Sequence, residues 1–184
     1  IMEFPEEIVL PAEAIDGTIG HGKVVGFLAY AVADQMGIVQ KEKEHILLAG
    51  YLLDIGKEII AHHLLNRRGG FTDTELEGLK KHPEESVRIL KKHGYETKEV
   101  FEIIEAHHEN YDGTGYPKGL RGEDIPLGAR ILNIVDTYDA LTSWRPYRER
   151  WDPKASISEI QKSKNEGKFD PKIVDLFINI ITHE

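Results

Sequence analysis

The sequence predicts an all-α fold: a single helical bundle that carries one long ordered loop. Three observations point there. Apolar residues recur at helical spacing through most of the 184 residues. Helix start and stop signals punctuate that pattern, with the Thr72/Glu75 pair, Pro83, Pro126 and Asp170–Pro171 at starts and Gly37 and Gly94 at ends. Strand-like alternation is almost absent, and no internal repeat or linker rich in Gly, Ser or Pro divides the chain.

The elements follow in order. Residues 20–37 place apolar side chains three and four apart and stop at Gly37. Residues 41–53 open with charges and close in ILLAGYLL, the pattern of a buried helix. Thr72 with Glu75 is a capping-box signature for the next helix. Pro83 suits the first turn of a further one, ended by Gly94. Thr97 opens the segment that runs to His107. A loop at 110–126 follows, bearing Gly, Tyr and Pro. Pro126 then opens the amphipathic LGARILNIVDTYDALTS, and Asp170–Pro171 cap and start PKIVDLFINII.

Composition bounds the function. A chain of this length suits one domain, 1–184, and buries a real core. Ile1 followed by Met2 fits a domain cut from a longer protein. The net charge of −9 argues against binding long nucleic acid, which needs many Lys and Arg contacts. It permits a small anion in a pocket made positive by metal ions and a few arginines. No apolar run approaches the roughly 20 residues of a bilayer span, and there is no signal peptide. The absence of cysteine removes disulfides and thiolate zinc sites and leans towards a cytoplasmic setting.

Nine histidines are the notable surplus. His107 and His108 end a helix and lead at once into the loop, which reads as the rim of a metal pocket if further ligands exist; otherwise they are helix-end residues facing the C-terminal dipole. His21, Asp54, His82 and Asp136 supply the further ligands, each on or at the end of a separate helix. Asp54 and Asp136 lie in apolar stretches, where an uncompensated carboxylate costs several kcal/mol, so each needs a cation or strong donors. For Asp54 the alternative partner is Lys57. His62–His63 read as a loop pair, and His45, His93 and His183 receive no role.

These residues resemble the HD-GYP branch of the HD phosphohydrolases over about 20–180. The run HHENYDGTGYPKGLRGEDIPLGARILNIVDTYDALTSWRPYR is close to the family signature, with Gly115-Tyr116-Pro117 as the GYP triplet. DIGK (54–57), LLNRRGGFT (64–72), HPEESVRIL (82–90) and GKFDPKIVDLF (167–177) match in the right order. The resemblance implies an all-α fold and metal-dependent hydrolysis of cyclic di-GMP to pGpG or GMP by a metal-activated hydroxide. It puts His21, Asp54, His82, His107, His108 and Asp136 on metal-ligand positions, Asp54 as a bridging ligand and His82, His107 and His108 on a second metal. Lys57 falls beside Asp54 as a catalytic residue, and Tyr116, Asp139, Arg145 and Arg148 fall on or beside nucleotide-binding positions. One or two divalent ions are implied, and the histidine-and-carboxylate donor set favours iron or manganese over zinc or nickel. Another signalling domain is a further possible partner.

One departure stands out. The family carries His immediately before Asp54, and this chain has Leu53. Leucine cannot coordinate a metal. The His82/His107/His108/Asp54 set keeps four protein ligands, whereas His21, Asp136 and a shared Asp54 make three, so the latter subsite is expected to be the weaker. The alternative to an enzyme is therefore a degenerate domain that binds cyclic di-GMP or a protein without turnover.

Overall fold

The computed structural model describes residues 5–60, 71–144 and 149–182. Among them every regular element is helical and no strand occurs. The helices are α1 (Glu6–Asp16), α2 (His21–Gln35), α3 (Gln40–Leu52), α4 (Asp73–Leu79), α5 (His82–Lys92), α6 (Lys98–Glu105), α7 (Leu127–Thr142), α8 (Pro153–Asn165) and α9 (Pro171–Thr182). Short 3-10 turns occupy Ile55–Ile59 and Gly122–Asp124.

The amphipathic run after Pro126 becomes the axis of the bundle. Ile131, Leu132, Ile134 and Val135 of α7 are fully buried, and α2, α3, α6, α8 and α9 all pack against α7. The partly buried pair Arg130–Asp170, at 2.8 Å, ties α7 to the start of α9. Asp170 also accepts from the Lys172 amide, as its place before Pro171 leads one to expect.

Helices α2 and α3 pack almost backbone to backbone. A Cβ on Gly22 would lie 2.5 Å from the Tyr51 carbonyl oxygen, and one on Gly50 would lie 2.7 Å from the Gly26 Cα. Glycine is what lets His21, at the start of α2, sit beside the end of α3, where Asp54 begins the 3-10 turn.

The expected starts and stops are present. Thr72 and Glu75 form the full capping box of α4, and Gly37 and Gly94 adopt φ of 71° and 83° beyond the ends of α2 and α5. Helices α1 and α8 were not foreseen. Pro11 lies inside α1, where a ring normally signals a break. The buried face of α8 is Ser156, Ile160 and Ser163, too poor in apolar residues to register as periodicity.

The loop at 110–126 is ordered by one carboxylate. Glu109, 1% exposed, accepts from the amides of Lys118 at 2.7 Å and Leu120 at 3.0 Å. The Tyr116 amide donates to the His108 carbonyl. A Cβ on Gly115 would lie 2.2 Å from the Asn110 nitrogen, so the loop folds back directly onto the histidine segment.

The close helix pair predicts opposite effects from one chemical change. Gly50→Ala should destabilise the protein by about 1–3 kcal/mol, since its methyl group meets backbone. Gly78→Ala in α4, with nothing within 4 Å of the new Cβ, should stabilise by about 0.5–1 kcal/mol through helix propensity. Urea unfolding of both variants is the check, and equal effects would refute the packing account.

Candidate metal centre

Two groups of donor atoms meet at Asp54. His82, His107 and His108 form one group, and His21, Asp54 and Asp136 the other, with the ligand atoms in each within 4.8 Å of one another. Asp54 reaches both: its Oδ2 is 3.5 Å from His21 Nε2 and its Oδ1 is 3.4 Å from His82 Nε2. Five separate elements contribute, which is why the residues lie so far apart in sequence.

Local structure aims each side chain. Asp54 sits on the tight turn after α3, and Ser86 of α5 holds that turn. The Ser86 hydroxyl donates to the Leu53 carbonyl at 2.7 Å and accepts from the Gly56 amide at 2.8 Å. A Cβ on Gly56 would sit 2.1 Å from the His82 carbonyl oxygen, so only glycine lets the turn and α5 come this close. Lys57, one turn after Asp54, places its ammonium 2.7 Å from Asp54 Oδ2.

His21 opens α2 beside Gly20, whose φ of 91° favours glycine and which brings no capping side chain. The cap comes from α1 instead. The buried carboxylate of Glu13 accepts from the amides of Gly20 at 2.7 Å and Gly22 at 2.8 Å, bracketing His21. Asp136 is on α7, and the His107–His108 step is the turn that follows α6.

The imidazole hydrogen bonds define the chemistry. His82 Nδ1 lies 2.7 Å from the Leu79 carbonyl and His107 Nδ1 lies 2.6 Å from that of Ile104. A carbonyl only accepts, so both Nδ1 atoms carry the proton and both Nε2 atoms present lone pairs. Those Nε2 atoms are 3.3 Å apart, and His108 Nε2 is 3.2 Å from that of His82. Lone pairs converging at this distance call for a cation between them.

His21 repeats the logic. Its Nδ1 donates to Asp139 Oδ2 at 2.6 Å, which turns Nε2 towards Asp136 Oδ1 at 3.1 Å and Asp54 Oδ2. The Asp136 contact is short enough for a bond but misdirected. Nε2 is thus the buried side-chain polar atom that, among the described residues, has no hydrogen bond. A lone pair facing two carboxylates needs either a proton or a metal. The donor sets therefore fit divalent cations with nitrogen and oxygen ligands.

Protonation follows from the same surroundings. Burial holds His82 down to about 4. Burial also lowers His107, and burial with the neighbouring imidazoles takes His108 well below its ordinary value. All three are neutral near pH 7, the form that binds metal. For His21 burial opposes protonation, but the carboxylates of Asp136, Asp139 and Asp54 around the ring win and raise it well above 6.5. For Asp54 burial opposes ionisation, yet the Lys57 charge and the neighbouring His21 imidazole hold it well below the usual carboxylate range.

The structure thus brings together His21, Asp54, His82, His107, His108 and Asp136, with Lys57 on Asp54. Tyr116 stacks on His108, with ring centroids 4.9 Å apart and planes 24° apart. Asp139, which the resemblance sets beside the nucleotide-binding positions, is bonded to His21 and to Ser143. Its Oδ2 holds His21, its Oδ1 accepts from the Ser143 hydroxyl at 2.8 Å, and the residue is 4% exposed. One turn after Asp136 on α7, it holds the His21 ring in place. Arg145, Arg148, His62 and His63 lie outside the described residues. Leu53 is fully buried. With His21, Asp54 and Lys57 it lines a void of about 10 Å³, hydrocarbon where the resemblance expects an imidazole.

Glu13, Ser86 and Glu109 were missed in the sequence. Glu109 had a signal, since it directly follows the histidine pair. Glu13 and Ser86 had none, because each acts across a helix contact.

The chain is similar to known proteins in sequence and in fold. A family model described as an HD domain matches residues 12–173. The cyclic di-GMP phosphodiesterase response regulator RpfG of Xanthomonas campestris is 37% identical over 163 residues, 88% of this chain and 43% of that protein. A 3'3'-cGAMP-specific phosphodiesterase of Vibrio cholerae is 34% identical over 162 residues, 88% of this chain and 31% of that one. The chain spans less than half the length of either relative. In fold it matches the crystal structure of a cyclic GMP-AMP-specific phosphodiesterase of Vibrio cholerae with a TM-score of 0.72 at 17% identity, covering 98% of this chain and 49% of the other.

Two predictions follow from the hydrogen bonds and charges. Asp139→Asn should cost about 10- to 100-fold in metal affinity at the His21 group, read by competition with a chromophoric chelator; unchanged affinity would remove Asp139 from the positioning role. The metal-free protein should lose stability on acidification. The folded-state values of His82, His107 and His108 are lowered, so the unfolded chain takes protons first below pH 6.5, and for His82 the loss continues down to about 4. His21 is raised, so its contribution is fully present below 6.5 and is lost only as pH rises through its folded value. Three groups outweigh one, and thermal unfolding between pH 7 and 4 with chelator present should show a falling midpoint.

Proposed function

The chain belongs to the HD domain family, and on that premise we propose that it is a metal-dependent phosphodiesterase that hydrolyses cyclic di-GMP to pGpG or GMP. The observation that carries this reading is the sharing of the Asp54 carboxylate between two donor groups whose lone pairs otherwise face one another. The acidic chain, with its net charge of −9, fits a small anionic substrate at a cationic centre rather than long nucleic acid. Among the described residues no helix is long and apolar enough to cross a membrane.

His82, His107, His108 and Asp54 would hold one divalent ion, and His21, Asp136 and Asp54 the other, with iron or manganese favoured over zinc or nickel by the donor set. Ions so held would lower the pKa of a bound water and offset the charge of the phosphodiester. The chain's own groups do the rest. Lys57 keeps Asp54 ionised and oriented. Asp139, and the carbonyls of Leu79 and Ile104, fix which ring nitrogen of His21, His82 and His107 faces inward. Tyr116 stacks over His108, beside the place where a nucleotide reaching the centre would lie. Arg145 and Arg148, just after α7, are proposed to bind the nucleotide. Residues 1–184 are read as one domain, to which another signalling domain could attach as partner.

Leu53 favours a second reading, a domain that binds the dinucleotide without turning it over. It removes one donor from the His21 side and puts a buried leucine there.

The deciding experiment is hydrolysis of cyclic di-GMP by protein reconstituted anaerobically with iron(II) or manganese(II), alongside Leu53→His. The phosphodiesterase reading expects metal-dependent product from the natural chain. Nucleotide binding without product, with turnover appearing only in Leu53→His, would replace the enzyme by a receptor.

A further inference from the structure

Three grooves on the described surface differ in what lines them. One of about 430 Å³ lies between α2 and α9 at Asp34 and Leu176, and one of about 230 Å³ lies among His45, Glu99 and Leu127. Neither is lined by Trp, Tyr or Phe or by a residue of the candidate metal centre. The third is different. It measures about 560 Å³ and is lined by His21 and Asp139 of the metal centre, by Thr18 and Ser143, and by the apolar side chains of Ile19, Val24 and Trp144. That volume lies within the range of about 300–1,000 Å³ typical of small-ligand sites.

Trp144 is 68% exposed, directly after the α7 segment that carries Asp136 and Asp139, and Ile19 and Val24 are 73% and 46% exposed. Exposed apolar groups gathered in one patch and rimmed by polar residues are a mark of ligand grooves. The lining matches a nucleobase: apolar side chains for its faces, hydroxyls for its edges. The groove begins at His21 itself. A cyclic dinucleotide whose scissile phosphate lies among His21, Asp54 and Asp136 carries its bases outward from the phosphate ring, and a groove that starts at His21 can take one of them.

We propose that Trp144 is the stacking platform for one base of the cyclic dinucleotide, an inference that rests on the phosphodiesterase reading above. Stacking uses the π-face, which every base has, so Trp144 supplies affinity without choosing between guanine and adenine. It touches the substrate away from the reacting phosphate and acts on binding rather than on the chemical step.

The chain has two tryptophans, so Trp151→Phe leaves Trp144 as the sole indole reporter with no change at residue 144. Titration of that variant with cyclic di-GMP should change the indole emission saturably. In the metal-loaded enzyme, Trp144→Ala should raise KM about tenfold with kcat little altered, Trp144→Phe should recover most of the loss, and the factor should be the same for cyclic di-GMP and 3'3'-cGAMP. Nucleotide binding seen by calorimetry with unchanged Trp144 emission overturns the stacking role and leaves the phosphodiesterase reading intact. Absence of any nucleotide binding overturns both. Should Trp144→Ala fail to fold, the emission titration decides alone.

Discussion

One carboxylate has to be in two places. Asp54 stands 3.4–3.5 Å from an imidazole on either side, and the surrounding architecture brings those imidazoles to it. The turn that bears Asp54 is pinned to α5 by Ser86, which delivers His82. The end of α3 is pressed onto α2 through glycines, which delivers His21. Helix α7 runs through the middle and presents Asp136, while the loop folded over Glu109 fixes the segment holding His107 and His108. Remove the demand at Asp54, and the backbone contacts at Gly22, Gly50 and Gly56 lose their common purpose.

This arrangement is costly to a protein without a cation. A buried polar group left without a partner costs about 1–3 kcal/mol, and here several imidazole lone pairs and two carboxylates converge in the middle of an apolar bundle. The hydrogen bonds around them do not relieve the conflict. Carbonyls at Leu79 and Ile104 take the outer ring protons of His82 and His107 and force their unprotonated edges inward, and Asp139 turns the inner nitrogen of His21 onto two carboxylates. The outer layer thus makes the centre worse on its own and better with a metal, as expected of a ligand shell and not of a structural ion-pair network.

Much of this was legible in the sequence, and the part that was not has a physical reason. Helix boundaries were readable where caps are local, as at Thr72–Glu75 and Asp170–Pro171. Helix α1 was hidden by Pro11, and α8 by a buried face made of serines. The inner donor residues could be named because histidines and aspartates at helix ends within apolar runs are individually expensive. Their supports were not legible: Glu13 caps a helix it does not belong to, and Ser86 clamps a turn about thirty residues away. Asp139 was seen without its bond to His21, since spacing alone cannot show that a carboxylate reaches the back of a histidine on another helix.

The capping of α2 by Glu13 has a mechanical consequence. Two hydrogen bonds from one rigid carboxylate grip the backbone on both sides of His21, so α1 and the first turn of α2 have no slack between them. A hydrogen bond tolerates a few tenths of an ångström of stretch. A larger displacement of α1 along its axis either tears the cap or carries His21 with it, away from Asp54 and Asp136. Helix α1 is a pushrod whose far end is a proposed metal ligand.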